Sequence, residues 1–167
     1  MKINNVVLDE KINLGSQELK LNGAGVRQKY TIDIYIGALY TKDEYRVEDE
    51  VFQDKNPKRI VLHYLYEKID GKLIQDGWVD GFRDNLSKEA YDACSVRLDQ
   101  FNQCFTTMLS GDEVLIDYEP DEGTSVIKNG RQIGDTIRGE DFHVAVLKVL
   151  LGEKPAYKKL KKAMLGV

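Results

Sequence analysis

Cys94 and Cys104, His63 and His143, and a run of lysines near the carboxyl end are the side chains whose types could carry covalent, metal or charge-driven chemistry. Their spacing argues against most of it. The two cysteines fall in a stretch that reads as one helix, where ten residues of rise separate them by ~15 Å. A disulfide needs alpha carbons within about 7 Å, so both read as free thiols. Neither belongs to a CxxC pair or a Cys/His cluster, and no metal site is expected. Small buried hydrophobes describe them better. Each histidine stands alone in its segment, the pattern of a structural or exposed imidazole rather than a catalytic one. The lysines Lys154, Lys158, Lys159, Lys161 and Lys162 read as the solvated face of a terminal helix whose Tyr157, Leu160, Ala163 and Met164 pack inward. No cofactor is called for.

The elements that position these residues follow from hydrophobic period. Ile12 with Leu14, then Leu19 with Leu21, alternate as strands do before a break at Asn22-Gly23-Ala24-Gly25. From Val26 to Tyr40 the alternation resumes as one long, half-buried antiparallel strand, with Tyr30, Ile32, Ile34 and Ile36 on one face and Thr31, Asp33, Tyr35 and Gly37 on the other. The segment from Lys42 to Lys58 is a polar connection with room for one helical turn. Arg59 to Tyr66, branched and aromatic, is another strand. Ile74, Trp78, Phe82 and Leu86 recur every four residues and mark a helix. Ser87 caps a second helix that the apolar pattern extends to about Ser110. Glu113 to Tyr118 starts a further set of strands, turned by Asn129-Gly130, the strongest short hairpin signal in the chain. Arg131 to Ile137 pairs back. Phe142, Val146, Val149 and Leu150 define a helix ending at Gly152, and Pro155 restarts a short basic one.

Strands, two helices, strands and two helices is an α+β order, in which helices cover one face of a large antiparallel sheet. With 167 residues the whole chain, 1–167, is expected to form a single domain. Hydrophobic residues at 42% and charged residues at 31% supply a core and a soluble surface. A net charge of −4 gives no global pull toward nucleic acid or an anionic membrane, and no segment approaches the ~18 apolar residues of a span. No nucleic-acid partner, no stable membrane insertion and a monomer are therefore expected. The amino terminus lacks a signal-peptide core, which points to the cytoplasm, or to the periplasm if a leader has been removed.

Four segments, LNGAGVRQKY (21 to 30), DIYIGALYT (33 to 41), GDEVLIDYEPDEGTSVIKNG (111 to 130) and GEDFHVAVLKVLLGEKPA (139 to 156), together resemble the chalcone-isomerase-like family, especially its bacterial branch. The resemblance implies an open-faced β-sandwich with helices layered over a large sheet. It also implies a ligand cleft holding an arginine just after the GAG turn, here Arg27. Read without the family, Arg27 is a strand-end arginine paired with Asp33 or Glu18, or simply solvated.

Family enzymes carry a tyrosine and, seven residues on, an asparagine on a cleft helix; Trp78 and Asn85 stand at that spacing. Seven residues return a helix to within ~20° of one face, so Asn85 is expected on the Trp78 stripe or, by its local signals, as a helix terminator. Indole donates a hydrogen bond but accepts none. Two threonines of the family's enzymes align with Ile34 and Val149. Tyr35 is beside Ile34 but on the opposite face of a regular strand, and only a bulge would bring it across.

The arginine thus remains while three hydroxyls are gone. Such a cleft suits a small amphipathic acid, fatty-acid-like, with Arg27 on the carboxylate and Ile34, Tyr35, Trp78, Asn85 and Val149 along the wall. The family includes noncatalytic fatty-acid binders. The alternatives are an intramolecular lyase of the chalcone-to-flavanone type, with Arg27 as its catalytic residue, and a protein-interaction domain whose cleft is filled by its own side chains.

Overall fold

The computed structural model describes residues 1–167. In chain order the elements are β1 (Lys2–Ile3), β2 (Val6–Val7), β3 (Lys11–Leu14), β4 (Gln17–Lys29), β5 (Ile32–Thr41), α1 (Glu48–Gln53), β6 (Lys58–Tyr64), β7 (Lys68–Ile69), α2 (Gly71–Asn85), α3 (Lys88–Asn102), β8 (Met108–Leu109), β9 (Glu113–Glu119), β10 (Gly123–Lys128), β11 (Arg131–Ile137), α4 (Glu140–Leu151) and α5 (Lys158–Leu165). Seven strands form one curled antiparallel sheet in the order β11-β10-β9-β6-β5-β4-β3, with two small two-stranded pairs, β1-β2 and β7-β8, beside it. The α+β class is as expected.

Alternation sorts each strand's side chains between two cores. Leu39, Ile60, Leu62, Val114 and Ile116 face the helices and pack with Phe82, Leu98, Phe101, Phe142, Val146 and Leu160. Ile36, Ala38, Tyr40 and Val61 face the other way, onto Leu8, Leu14 and Leu19 from the curled edge and the segment leading into it. No helix contributes to that second core.

Local chemistry explains several boundaries. The Ser87 hydroxyl accepts from the Ala90 N–H at 3.1 Å and caps α3 as its residue type suggests. Asp70 caps α2 by accepting from the Lys72 N–H at 2.9 Å. At the β10-β11 hairpin Asn129 and Gly130 hold φ of 50° and 83°, the left-handed pair that an Asn-Gly turn supplies.

Three expectations are corrected. The run from Val26 to Tyr40 is two strands, not one: Lys29 pairs with Ile32, and Tyr30-Thr31 is a two-residue hairpin with Tyr30 at φ 57°. Asn22-Gly23-Ala24-Gly25 is no break, since β4 runs through it with only a shift of register between Leu21 and Gly23. What needs its glycines is α5, which lies so close that a Cβ on Gly23 would stand 2.1 Å from the Ala163 carbonyl oxygen. Asn22 completes the seat: its amide donates to Met164 O at 2.8 Å and to Tyr45 O at 3.0 Å. Third, α3 ends at Asn102 rather than near Ser110. The apolar pattern continues past it because Cys104, Phe105 and Met108 are buried in a loop and a short strand. Cys104 therefore lies beyond the helix, and both thiols are free and buried.

Candidate functional site

The sheet bends where β4 and β5 leave the hairpin. Arg27 pairs with Tyr35 but its neighbour Gln28 pairs with Asp33, so Ile34 is an extra residue in β5, a β-bulge. Freed from β4, the Ile34 carbonyl accepts from the N–H groups of Leu65 and Tyr66 at 2.9 and 3.2 Å and fixes the end of β6. The bulge breaks alternation and turns Ile34 and Tyr35 to the same side. That is the one device by which Tyr35 could reach the cleft.

Between this bend and α2 lies a cleft in two lobes that share Arg27, Tyr35, Tyr64, Leu73 and Ile74. The outer lobe, about 490 Å³, runs along Ile32, Ile34, Ile69 and Leu73 and opens between Tyr30 and Tyr66. The inner lobe, about 340 Å³, reaches Trp78 and Val149 and is walled on one side by Lys154, Pro155 and Ala156. Both volumes fall in the range of small-ligand sites, ~300 to 1,000 Å³.

Arg27 has no carboxylate partner. The two acids expected from sequence are engaged elsewhere: Asp33 accepts from Asn4 and Gln28 at 2.7 Å each, and Glu18 lies 3.4 Å from Lys11. Asp80 and Asp84 line the inner lobe with Arg27 but form no ion pair with it. Its guanidinium carbon instead stands 5.7 Å from the Tyr35 ring centre, a cation–π approach. The Tyr35 and Tyr64 rings are 5.7 Å apart and tilted by 59°. Burial pushes the Tyr35 phenol up, and the nearby Arg27 offsets this only in part. Burial pushes the Tyr64 phenol up as well, reinforced by Tyr35. Both phenols are therefore neutral O–H donors at ordinary pH and unsuited to act as phenolate bases. One cation and two donors stand where an apolar outer lobe meets an inner lobe that also holds Asp80, Asp84 and Lys154, and with the outer lobe they suit an anionic head group with an apolar body.

Trp78 and Val149 line the inner lobe, though each is mainly a packing residue. The indole meets Phe101 edge to face and Phe105 at a tilt, at centroid distances of 5.1 and 5.5 Å. Val149 fills the space opposite Gly81, where a Cβ would meet its methyl at 2.5 Å. Asn85 does not line either lobe but stands behind the wall of the inner one, and it does more than end the helix. Its amide donates to Gly81 O at 2.9 Å and to Lys154 O at 2.8 Å, while its carbonyl accepts from the Lys154 N–H at 2.9 Å. It thus pins the loop that walls the inner lobe. Ile69, Leu73, Ile74 and Lys154 were not read from sequence as cleft residues, whereas Tyr64, with Tyr35 and Tyr66, was a candidate to act beside Arg27 in an enzyme. For Tyr64 a signal existed, because it shares the inward parity of Ile60 and Leu62 on β6.

The two histidines stand apart from the cleft. His143 is buried against Tyr118 and His63 lies half-buried, 3.8 Å from Glu113. No group of three or more His, Cys, Asp or Glu side chains is arranged to hold a metal ion.

Fold and cleft together define an α+β protein of one curled antiparallel sheet with a cleft between its bend and α2. The chain belongs to the chalcone isomerase-like family, whose model matches residues 1–166. Among solved structures it is similar to a fatty-acid binding protein of Arabidopsis thaliana, at 18% identity and a TM-score of 0.71, over 95% of this chain and 90% of that one. At that identity the likeness establishes the fold. No curated protein matches the chain.

Proposed function

We propose that this protein binds a fatty-acid-like amphipathic acid without transforming it, with the carboxylate held at Arg27 and the chain laid along the apolar cleft. One observation carries this reading: Arg27 faces a cavity of ligand size and pairs with no carboxylate, the acids of the inner lobe, Asp80 and Asp84, forming no ion pair with it. An arginine forks onto a carboxylate through two N–H donors, and the neutral Tyr35 and Tyr64 hydroxyls add donors beside it. The outer lobe supplies Ile32, Ile34, Ile69 and Leu73 for the tail. The fatty-acid binding protein that shares the fold supports the ligand class.

The lyase reading loses support from the chemistry of the wall. Trp78, Ile34 and Val149 bring no hydroxyl at the three positions where the family's enzymes carry one, Tyr35 and Tyr64 standing elsewhere on the wall, and each missing preorganised donor costs ~100 to 1,000-fold in rate. The interaction-domain reading called for a filled cleft, and the space beside Arg27 is open.

The test is thermal unfolding with medium- and long-chain fatty acids. A ligand selective for the native state at a hundred times its Kd contributes about 2.7 kcal/mol, several degrees in Tm for this size. We expect that shift in the wild type and its loss in Arg27→Ala, with no acceleration of chalcone cyclisation by either protein. Robust cyclisation abolished by Arg27→Ala would replace this function with the lyase one. A shift that survives Arg27→Ala would remove Arg27 as the anchor.

A further inference from the structure

The rim of the outer lobe is built unlike the rest of the surface. Ten large hydrophobic residues are exposed on the molecule, and four of them, Tyr30, Ile32, Tyr66 and Leu73, line this one cleft. The charged residues lining it are Arg27, Lys29 and Lys68, all cationic, in a chain of net charge −4. The acids near them in sequence are committed, Asp33 to Asn4 and Gln28 and Asp70 to the start of α2, while Glu67 does not line the cleft.

Tyr30 makes the case sharper. Five non-glycine residues have a left-handed backbone, and the other four are Asn4, Asn5, Asp121 and Asn129. Asparagine and aspartate tolerate that conformation, whereas a tyrosine there is strained and favours no turn. At the tip of the β4-β5 hairpin the residue is 90% exposed and belongs to neither core. Neither turn chemistry nor core packing accounts for an aromatic residue at that site.

We propose that this rim docks on the surface of an anionic phospholipid bilayer, with Tyr30 and Leu73 entering the interface, Lys29 and Lys68 on the phosphates, and the cleft opening toward the lipid. Tyrosine is suited to the headgroup layer because one end of it is apolar and the other polar. Lysine stems lie along apolar surface while their ammonium groups reach phosphate. A local patch of this kind acts within a Debye length, which is why the overall negative charge does not oppose it. A second copy of the chain is a poorer occupant, since a two-fold contact would set Lys29 and Lys68 against the same lysines. The choice of lipid over a protein partner rests in part on reading the cleft as a site for an amphipathic acid, a ligand that partitions into membranes.

The experiment is flotation of the purified protein with vesicles containing no free fatty acid. One set is phosphatidylcholine alone, the other equal parts phosphatidylcholine and phosphatidylglycerol. We expect the protein to float with the anionic vesicles only and to be released at about 0.5 M salt. Neutralising Lys29 or Lys68 as glutamine should lower partition about fivefold each. Tyr30→Asn should lower it about tenfold with Tm unchanged or raised, because asparagine suits the turn. Leu73→Ser, on the exposed face of α2, gives the same reading without touching the hairpin. Wild-type protein that floats with neither vesicle, flotation unaffected by Tyr30→Asn and Leu73→Ser, or a dimer that these variants disperse would each overturn the proposal. Because no fatty acid is present, failure here leaves the Arg27-dependent melting shift standing, and failure of that shift leaves this result standing.

Discussion

Arg27 and Lys58 are both cations on inward-facing positions of one sheet, and the fold treats them in opposite ways. Lys58 is 1% exposed at the start of β6 and fully provided for. Its ammonium donates to the carbonyls of Asp54 and Asn56 at 2.6 and 2.9 Å, stands 3.2 Å from the Asp54 carboxylate and lies over the Tyr118 ring. Even so, burial pulls its pKa below the usual lysine range, the attraction of Asp54 being the smaller influence. Arg27, half-buried, has an aromatic neighbour and a cavity instead. A cation that holds the fold together comes with its counter-charge built in. A cation with an open cavity in place of a counter-charge is the arrangement of a binding site.

Removing each one is the strongest way to break this contrast. Lys58→Ala leaves the Asp54 carboxylate, itself only 4% exposed, without its ion-pair partner, a change that costs about 3 to 5 kcal/mol when a buried pair is split. Arg27→Ala should cost about 1 kcal/mol or less. Urea unfolding of the two variants measures the difference directly. Equal losses would mean that Arg27 is structural after all.

A pH series sharpens the same contrast at the Lys58 end. His143 stacks on Tyr118 at 4.3 Å and 12°, and neither ring nitrogen has a hydrogen-bond partner. Burial first, then repulsion from Lys58, holds its pKa well below the usual histidine range. The folded protein therefore keeps the imidazole neutral while the unfolded chain takes up a proton near pH ~6.5, so stability should fall as pH drops through that value. The slope from this one group reaches at most about 1.4 kcal/mol per pH unit until the folded pKa is met. His143→Phe keeps a ring on Tyr118 and should flatten the curve by that amount between about pH 6.5 and 5. Parallel wild-type and variant curves would show that the site is already charged.

The most local effect belongs to Asn85. Asn85→Ala removes three hydrogen bonds to α2 and the 152–156 loop and should cost about 1 to 2 kcal/mol. Faster hydrogen exchange at the Lys154 N–H would report the loosened wall. Unaltered exchange would mean that the loop holds without its clamp.

Sequence reasoning found the elements wherever the signal was local: the Ser87 cap, the Asn129-Gly130 hairpin, the stop at Gly152. It missed the Tyr30-Thr31 turn because the alternation through VRQKYTIDIYI is unbroken and none of the usual turn residues stands there. It overran α3 because Phe105 and Met108 are as apolar in their loop as they would be in a helix. Arg27 came from family resemblance to the GAG segment, and the structure sets it beside a cleft.

By itself the sequence determined the class, a large antiparallel sheet with helices, since hydrophobic period, capping and turn chemistry act over a few residues. Only tertiary structure decided which face Tyr35 takes, what Asn85 holds and why Gly23 is glycine. The answers lie in a bulge fixed by β6, a loop 69 residues away and a helix at the far end of the chain. Register and close approach are set by the partner strand or helix, and no local pattern records them.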